Sequence, residues 1–397
     1  MKAPPRINSN IIRRINLARV FHGIRRSPGI SPRVLSKETG IDLATISTIL
    51  SSLEQDGLVI RSVRTPSGRS GRPNSQLSIN ETSGVLAGVA IDLREIHIVL
   101  ASFGGTRLAS LQVEGSRDVS HTLSAVKSGI TGLLKQTGSP RRRLAGVGIG
   151  MPGLVGLDGK LALAPTLDWH DVDFGGAVAR ALAVPTHLEN DVKAAALAEH
   201  LFGTGVRDTD FIYVSGRTGV GGGLYLNGGL YRGPRGMAGE IGHMKLVPGG
   251  RACACGALGC LEAYVSERAI LESLREAGLG LADIGAVREA ALRGDAQVLA
   301  VLADSGRQLG LGLANLANIF APNSIILGGA MAALADFLLH TARPVFEANA
   351  LAEIRRDVAI TVSTLGDLAV PMGGVAIALQ RFLGEPPATA LGPAAFT

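Results

Sequence analysis

Three cysteines occur in the chain, and all stand in one glycine-rich stretch as Cys253, Cys255 and Cys260. One residue separates the first two and four separate the last two, while nine residues lie between His243 and Cys253. Thiolate sulfur and neutral imidazole are the donors that Zn2+ prefers, and three cysteines with one histidine complete a closed tetrahedral shell. A closed shell keeps no position for an activated water, so the zinc expected here is structural. The plain alternative is three small buried hydrophobes beside a surface histidine, and it does not account for their clustering. A disulfide would strand the third thiol, and nothing in the sequence points to an oxidising compartment. Two carboxylates, Glu240 and Glu262, bracket the stretch.

The elements that must hold these donors belong to a chain of 397 residues, long enough for two or three domains. Its charge is uneven. Residues 1–80 carry 13 Lys and Arg against 4 Asp and Glu, a net of +9, and the remainder carries 26 against 29, a net of −3. A small basic head on a near-neutral body is the footprint of a nucleic-acid-binding domain attached to something else. The longest uncharged run, 308–335, is interrupted by Asn315, Asn318, Pro322, Asn323 and Ser324. It reads as a buried helix, a turn and a buried strand, not as a membrane span. Residues 1–26 carry arginines throughout an amphipathic pattern, so no signal peptide is expected there and the expected location is the cytoplasm.

Within the head, Ile11, Ile12, Ile15, Leu17, Ala18 and Phe21 recur at helical spacing from Asn8 to Arg26. Ser31-Pro32 is a helix start, with a capping hydroxyl before a first-turn proline, and that second helix should stop near Gly40. Asp42 then caps a third helix that buries Ile46, Ile49, Leu50 and Leu53 and ends at Gly57. Two short helices across a glycine-containing turn make a helix-turn-helix unit. Its exposed face offers Thr45, Ser47 and Thr48 to base edges in a major groove. Leu58–Ile60 and Leu77–Ile79 read as strands of a wing hairpin. The segment between them holds four arginines and no acid. Of these, Arg69 and Arg72 are placed to enter a minor groove.

From Val85 the pattern turns to apolar strands and alanine-rich helices. Val85–Leu93 and Glu95–Phe103 read as a strand hairpin, Leu144–Ile149 as another strand, and 211–226 as two strands about a glycine-rich turn. Strands interleaved with helices imply an α/β architecture, with two lobes and a ligand cleft.

The motifs A-G-E-I-G-H, P-G-G-R-x-C-x-C-G-x-x-G-C-L-E, E-N-D-V-K-A-A-A-L-A-E and T-G-V-G-G-G together resemble the ROK family of repressors, open reading frames and sugar kinases. The resemblance covers nearly the whole chain and implies an α/β fold. It is a two-lobed, actin/hexokinase-like (ribonuclease H-like) domain over 81–397, with the zinc loop at 240–262. An N-terminal winged helix-turn-helix domain over 1–80 precedes it. The resemblance also implies roles. Asn190 and Asp191 match the family's sugar contact and catalytic base, Glu240, His243 and Glu262 match side chains that bond sugar hydroxyls, and Gly153 matches a backbone sugar contact. His243 would then hold zinc through one ring nitrogen and aim the other at the sugar.

Two departures separate the chain from the family's kinases. Those open the body with D-x-G-x-T, where small residues admit nucleotide phosphates; here the segment reads Asp92-Leu93-Arg94-Glu95-Ile96. In the second phosphate loop Arg217 replaces a glycine. Thr166 stands where the family usually carries a sugar-contacting asparagine. With Asp191 kept as a vestigial base and the ATP loops altered, the expectation is a sugar-responsive transcriptional regulator that does not phosphorylate its ligand. Its partners would be double-stranded operator DNA, a sugar or sugar-phosphate effector, and a second or further copies of itself as a homodimer or homotetramer. The alternative is an ATP-dependent sugar kinase, glucokinase-like or N-acetylhexosamine kinase-like, with an accessory DNA-binding head. A redox or zinc sensor switched through Cys253, Cys255 and Cys260 is a third.

Overall fold

The computed structural model describes residues 9–64, 74–217 and 219–384. The chain divides into two compact units. One comprises Met1–Met151, Gly159–Glu189 and Gly374–Thr397, and the other Pro152–Asp158 and Asn190–Gly373.

The head in the first unit has helices Ser9–Arg26, Pro32–Thr39 and Leu43–Gln55, then antiparallel strands Val59–Arg64 and Asn74–Ile79. Local chemistry sets the helix ends. The Ser31 hydroxyl accepts from the Val34 N–H, and Gly40 takes the left-handed conformation that stops the helix (φ 69°). Asp42 caps the next helix by accepting from the Thr45 N–H at 2.9 Å. That helix buries Ile46, Ile49, Leu50 and Leu53, as its periodicity requires. The first helix, Ser9–Arg26, forms over the span its spacing marked. Ile12 is exposed, Ile11 and Ile15 are half-buried, and the buried set is Ala18, Val20, Phe21, Gly23 and Ile24. It meets the second helix at Gly23, where a Cβ would fall 2.5 Å from Leu35 Cδ1. The wing is anchored through Leu77, whose backbone bonds that of Gly29 and Ile30 at 2.8 and 3.0 Å.

Each unit contains one five-stranded sheet, and the two share a connectivity. In the first, the order is Thr186–Asn190, Leu144–Met151, Val85–Ile91, Glu95–Ser102, Arg107–Glu114. In the second it is Ala359–Val362, Ser324–Gly328, Phe211–Gly216, Val220–Leu226, Gly229–Leu230. In both, the first strand in sequence lies at the centre, with antiparallel neighbours on one side and a parallel strand on the other. The central strands are buried and apolar, as a sheet covered on both faces demands.

Against the second sheet stands a core built on helices Ala296–Phe320 and Ala335–Asn349. The uncharged run therefore forms a helix, a turn and the strand Ser324–Gly328. No helix among the described residues is long and apolar enough to cross a membrane. The last helix, Ala369–Phe382, returns to the first unit, where Phe382 packs on Phe103 with ring centroids 4.6 Å apart. Gly374 and Gly148 meet backbone to backbone there. A Cβ on Gly148 would lie 1.9 Å from the Gly374 carbonyl oxygen.

Candidate functional site

Residues 240–262 double back on themselves. Leu246 N–H donates to Gly259 O at 2.8 Å, and Lys245 pairs with Cys260 and Ala252 with Leu258 as isolated antiparallel bridges. Gly259 makes the return possible: its φ is 72°, and a Cβ there would sit 1.8 Å from Val247 O. The result carries Cys260 back toward His243, which ends the short turn Ile241–His243. One donor atom from each of His243, Cys253, Cys255 and Cys260 lies within 4.8 Å of every other, an arrangement that could hold a metal ion. Cys253 Sγ is 3.7 Å from His243 Nδ1, and Cys255 Sγ is 3.7 Å from Cys260 Sγ. Cys253 and Cys260 are buried and Cys255 is exposed. Burial pushes the Cys253 thiol up to about 12, whereas the Ala257 backbone N–H draws Cys255 below its ordinary value. A metal ion held there would require every thiol deprotonated.

The carboxylate at the end of the loop is tied to the same cluster. Glu262 opens the helix Glu262–Val265 and is buried, with Oε1 3.7 Å from Cys253 Sγ and Oε2 accepting from the Val220 N–H at 3.1 Å. Glu240, just before the turn, is exposed. Asn190 caps the helix Asp191–Phe202. Its Oδ1 accepts from Val192 and Lys193 N–H at 3.1 Å each, and its Nδ2 donates to Gly153 O at 3.2 Å. Asp191 is the first residue of that helix and is half-buried. Gly153, Asn190, Asp191, Glu240, His243 and Glu262 thus all belong to the second compact unit. Thr166 belongs to the first, where its Oγ1 is buried without a hydrogen-bond partner among the described residues.

The two segments expected to match the kinases' phosphate loops are tightly folded. Asp92 N–H donates to Glu95 O, and Asp92 Oδ1 accepts from Arg94 N–H, so the segment is the turn of a strand hairpin. Arg217 N–H donates to Gly219 O, and its Cγ would stand 3.3 Å from a Cβ on Gly329. Its side-chain stem therefore lies over the Gly328-Gly329 turn. Thr218 lies outside the described residues.

On the head, Ser47 and Thr48 are exposed and Thr45 is half-buried. The Thr48 hydroxyl donates to Ala44 O at 3.1 Å, leaving its oxygen lone pairs and methyl outward. Arg69 and Arg72 lie outside the described residues.

Two lysines escape the sequence reading. Lys245 is two residues from His243, and its Nζ lies 2.6 Å from Cys260 Sγ. Lys193 is almost wholly buried and donates to Gly236 O at 2.7 Å. The signal for the second was a single cation inside the apolar run V-K-A-A-A-L-A.

Among known proteins, the family described as ROK matches residues 87–381 and that described as MarR matches residues 18–73. The xylose repressor of Bacillus subtilis (strain 168) is 30% identical over 385 residues, covering 95% of this chain and 98% of that protein. A crystal structure of a ROK family transcriptional regulator, a homolog of the E. coli MLC protein, matches with a TM-score of 0.81 at 26% identity. It covers 96% of this chain and 98% of that one. A ROK family glucokinase from Streptomyces griseus, in complex with glucose and AMPPNP, matches with a TM-score of 0.68 at 29% identity, over 75% of this chain and 100% of that one. The two that match along nearly the full length are regulators, and the enzyme matches over less of the chain. The paired five-stranded sheets, the cysteine-histidine loop and a family match running from residue 87 to residue 381 lead to one conclusion: this chain belongs to the ROK family.

Proposed function

We propose that this protein is a sugar-responsive transcriptional repressor that reads operator DNA with its winged helix-turn-helix head. Its ROK domain would bind a sugar or sugar derivative as effector without phosphorylating it. The observation that carries the reading is the full-length likeness to a protein named as a xylose repressor, together with the MarR-type match over the head. Residues 1–80 form the DNA-reading domain and 81–397 the sensor. Thr45, Ser47 and Thr48 face base edges, and Arg69 and Arg72 reach the minor groove. As a homodimer or homotetramer, the protein would read an inverted repeat. It acts in the cytoplasm.

The effector sits among Gly153, Asn190, Asp191, Glu240, His243 and Glu262, where carboxylates accept from neighbouring sugar hydroxyls. Zn2+ is held by His243, Cys253, Cys255 and Cys260. A tetrahedron on zinc–thiolate bonds of about 2.3 Å has sulfur–sulfur edges of about 3.8 Å, and the 3.7 Å separation of Cys255 and Cys260 supports that ion. Bound zinc supplies rigidity and fixes the imidazole tautomer. Nδ1 of His243 faces Cys253, which leaves Nε2 for a sugar hydroxyl.

Catalysis is not part of the proposal because phosphoryl transfer rests on positioning the phosphates. Arg217 lies over the Gly328-Gly329 turn, and the first loop is a closed hairpin turn. The kinase reading is kept alive by Asp191 and by the glucokinase likeness. The decisive experiment selects operator sequences from random duplexes with purified protein, then titrates xylose and glucose against the bound operator by fluorescence anisotropy. A sugar-dependent change in operator affinity supports the proposal. Sugar-dependent ATP turnover in the ordinary enzymatic range of about 1–1,000 s⁻¹, with no effect of sugar on DNA binding, overturns it.

A further inference from the structure

Lys193 is 3% exposed and sits in the first turn of the helix Asp191–Phe202. Two costs attach to it there. A buried ammonium loses hydration, and a cation at a helix N-terminus opposes the macrodipole. The neighbouring positions on this helix are alanine and leucine, so an apolar residue would satisfy packing alone. One bond this ammonium makes is to the Gly236 carbonyl, to which it donates at 2.7 Å.

Gly236 lies at the tip of a loop whose base is secured elsewhere. Tyr231 N–H donates to Leu224 O at 2.7 Å, and Gly222 N–H donates to Gly239 O at 2.8 Å, so both ends are fixed to the strand Val220–Leu226. At the tip, Gly236 has φ 81°, and a Cβ there would lie 2.4 Å from Val155 O. The tip thus presses on the segment that carries Gly153, which Asn190 Nδ2 also holds. Both ties come from the start of one helix, next to Asp191, and the loop runs on into Glu240.

We infer that Lys193 is a positioning residue of the effector pocket: its ammonium fastens the tip of the 231–239 loop by the Gly236 carbonyl and thereby sets how that tip bears on the segment that carries Gly153. The inference rests on the sugar-binding reading above. Replacing the ammonium frees the tip and leaves the base in place.

The test compares full-length, metal-loaded wild type with K193M and K193R by limited trypsin digestion under native conditions, with cleavage sites mapped by mass spectrometry. Arg235 is exposed at the tip and reports on it directly. The expected result is cleavage after Arg235 about tenfold faster in K193M, the signature of local opening, with other sites unchanged and partial recovery in K193R. In the same samples, K193M should lose the melting-temperature rise that xylose or glucose gives the wild type. Cleavage after Arg235 at the wild-type rate, or acceleration spread over the whole chain, overturns the inference. If K193M does not accumulate as folded protein, K193Q, which keeps a shorter donor, is read by the same digestion. A wild type whose melting temperature neither sugar moves refutes the sugar reading, while the cleavage pattern still decides the loop claim.

Discussion

The ammonium of Lys245 stands 2.6 Å from the Sγ of Cys260, and the same two residues face each other as an antiparallel bridge. Three thiolates and a neutral imidazole around a divalent ion carry one net negative charge, which a lysine on the sulfur side offsets. K245M should therefore release its metal to a chromogenic chelator about tenfold faster or more, the range that groups bonded to metal ligands command. K245R should stay near the wild type. Equal release from K245M and wild type would show the ammonium to be idle.

Glu262 serves the backbone with one oxygen, while the other faces Cys253 and Arg268. Its Oε2 takes the Val220 N–H, and Oε1 is 3.9 Å from the Arg268 guanidinium. Glu262→Ala leaves that buried N–H without an acceptor and should cost about 1–3 kcal/mol in urea denaturation. Glu262→Gln keeps an acceptor and should unfold close to the wild type, yet lose the sugar response in anisotropy titrations. Ligand-free operator affinity should not change in Glu262→Gln. A Gln variant that still responds to sugar would remove the carboxylate from the effector site.

Asp42 caps the recognition helix, and hydrogen bonds from Thr45 hold its carboxyl below the ordinary value of 3.8. The sign follows from that direction. The carboxylate's contribution is complete above 3.8 and fades as pH falls through the lower folded-state value. D42A should lower the melting temperature of the head by a few degrees at neutral pH and weaken operator binding. The gap between D42A and wild type should close in strongly acidic buffer, as followed by circular dichroism. A gap that persists there would assign the effect to something other than the charge.

Gly374 and Gly132 make a matched pair of opposite outcome. A Cβ on Gly374 would lie 2.3 Å from Gly148 O and 2.9 Å from Gly88 Cα, and backbone on both sides cannot withdraw. Gly374→Ala should fail to accumulate as soluble protein. Gly132, inside the helix Val119–Gln136, has nothing within 4 Å of the same added atom. Gly132→Ala should stabilise by about 0.5–1 kcal/mol in denaturant unfolding.

Legibility followed sequence distance. Ser31, Gly40 and Asp42 mark helix ends within a few residues of where the backbone turns, and the buried face of Leu43–Gln55 was readable from its period. In Ser9–Arg26 the period located the helix but not its cover: burial falls on Ala18, Val20, Phe21, Gly23 and Ile24, and Ile12 is exposed. The four metal donors sit close enough in the chain to be read as one set. Lys193 could not be read: its acceptor, Gly236, lies 43 residues onward, and the tie from Asn190 to Gly153 spans 37. An isolated lysine in an alanine-rich helix gives no hint of a partner so far along the chain.

The closing helix has a consequence for how the protein is made. Residues 374–384 complete a unit begun at the other end of the chain, with Gly374 seated against Gly148 and Gly88 and Phe382 against Phe103. Folding usually proceeds domain by domain as the nascent chain emerges, but this unit stays missing a piece of its core until residues 374–384 have been made. The ribosome therefore delivers the intervening unit whole before the first one can be finished, and a chain that stops just short of Gly374 leaves Gly148, Gly88 and Phe103 without the residues that seat on them.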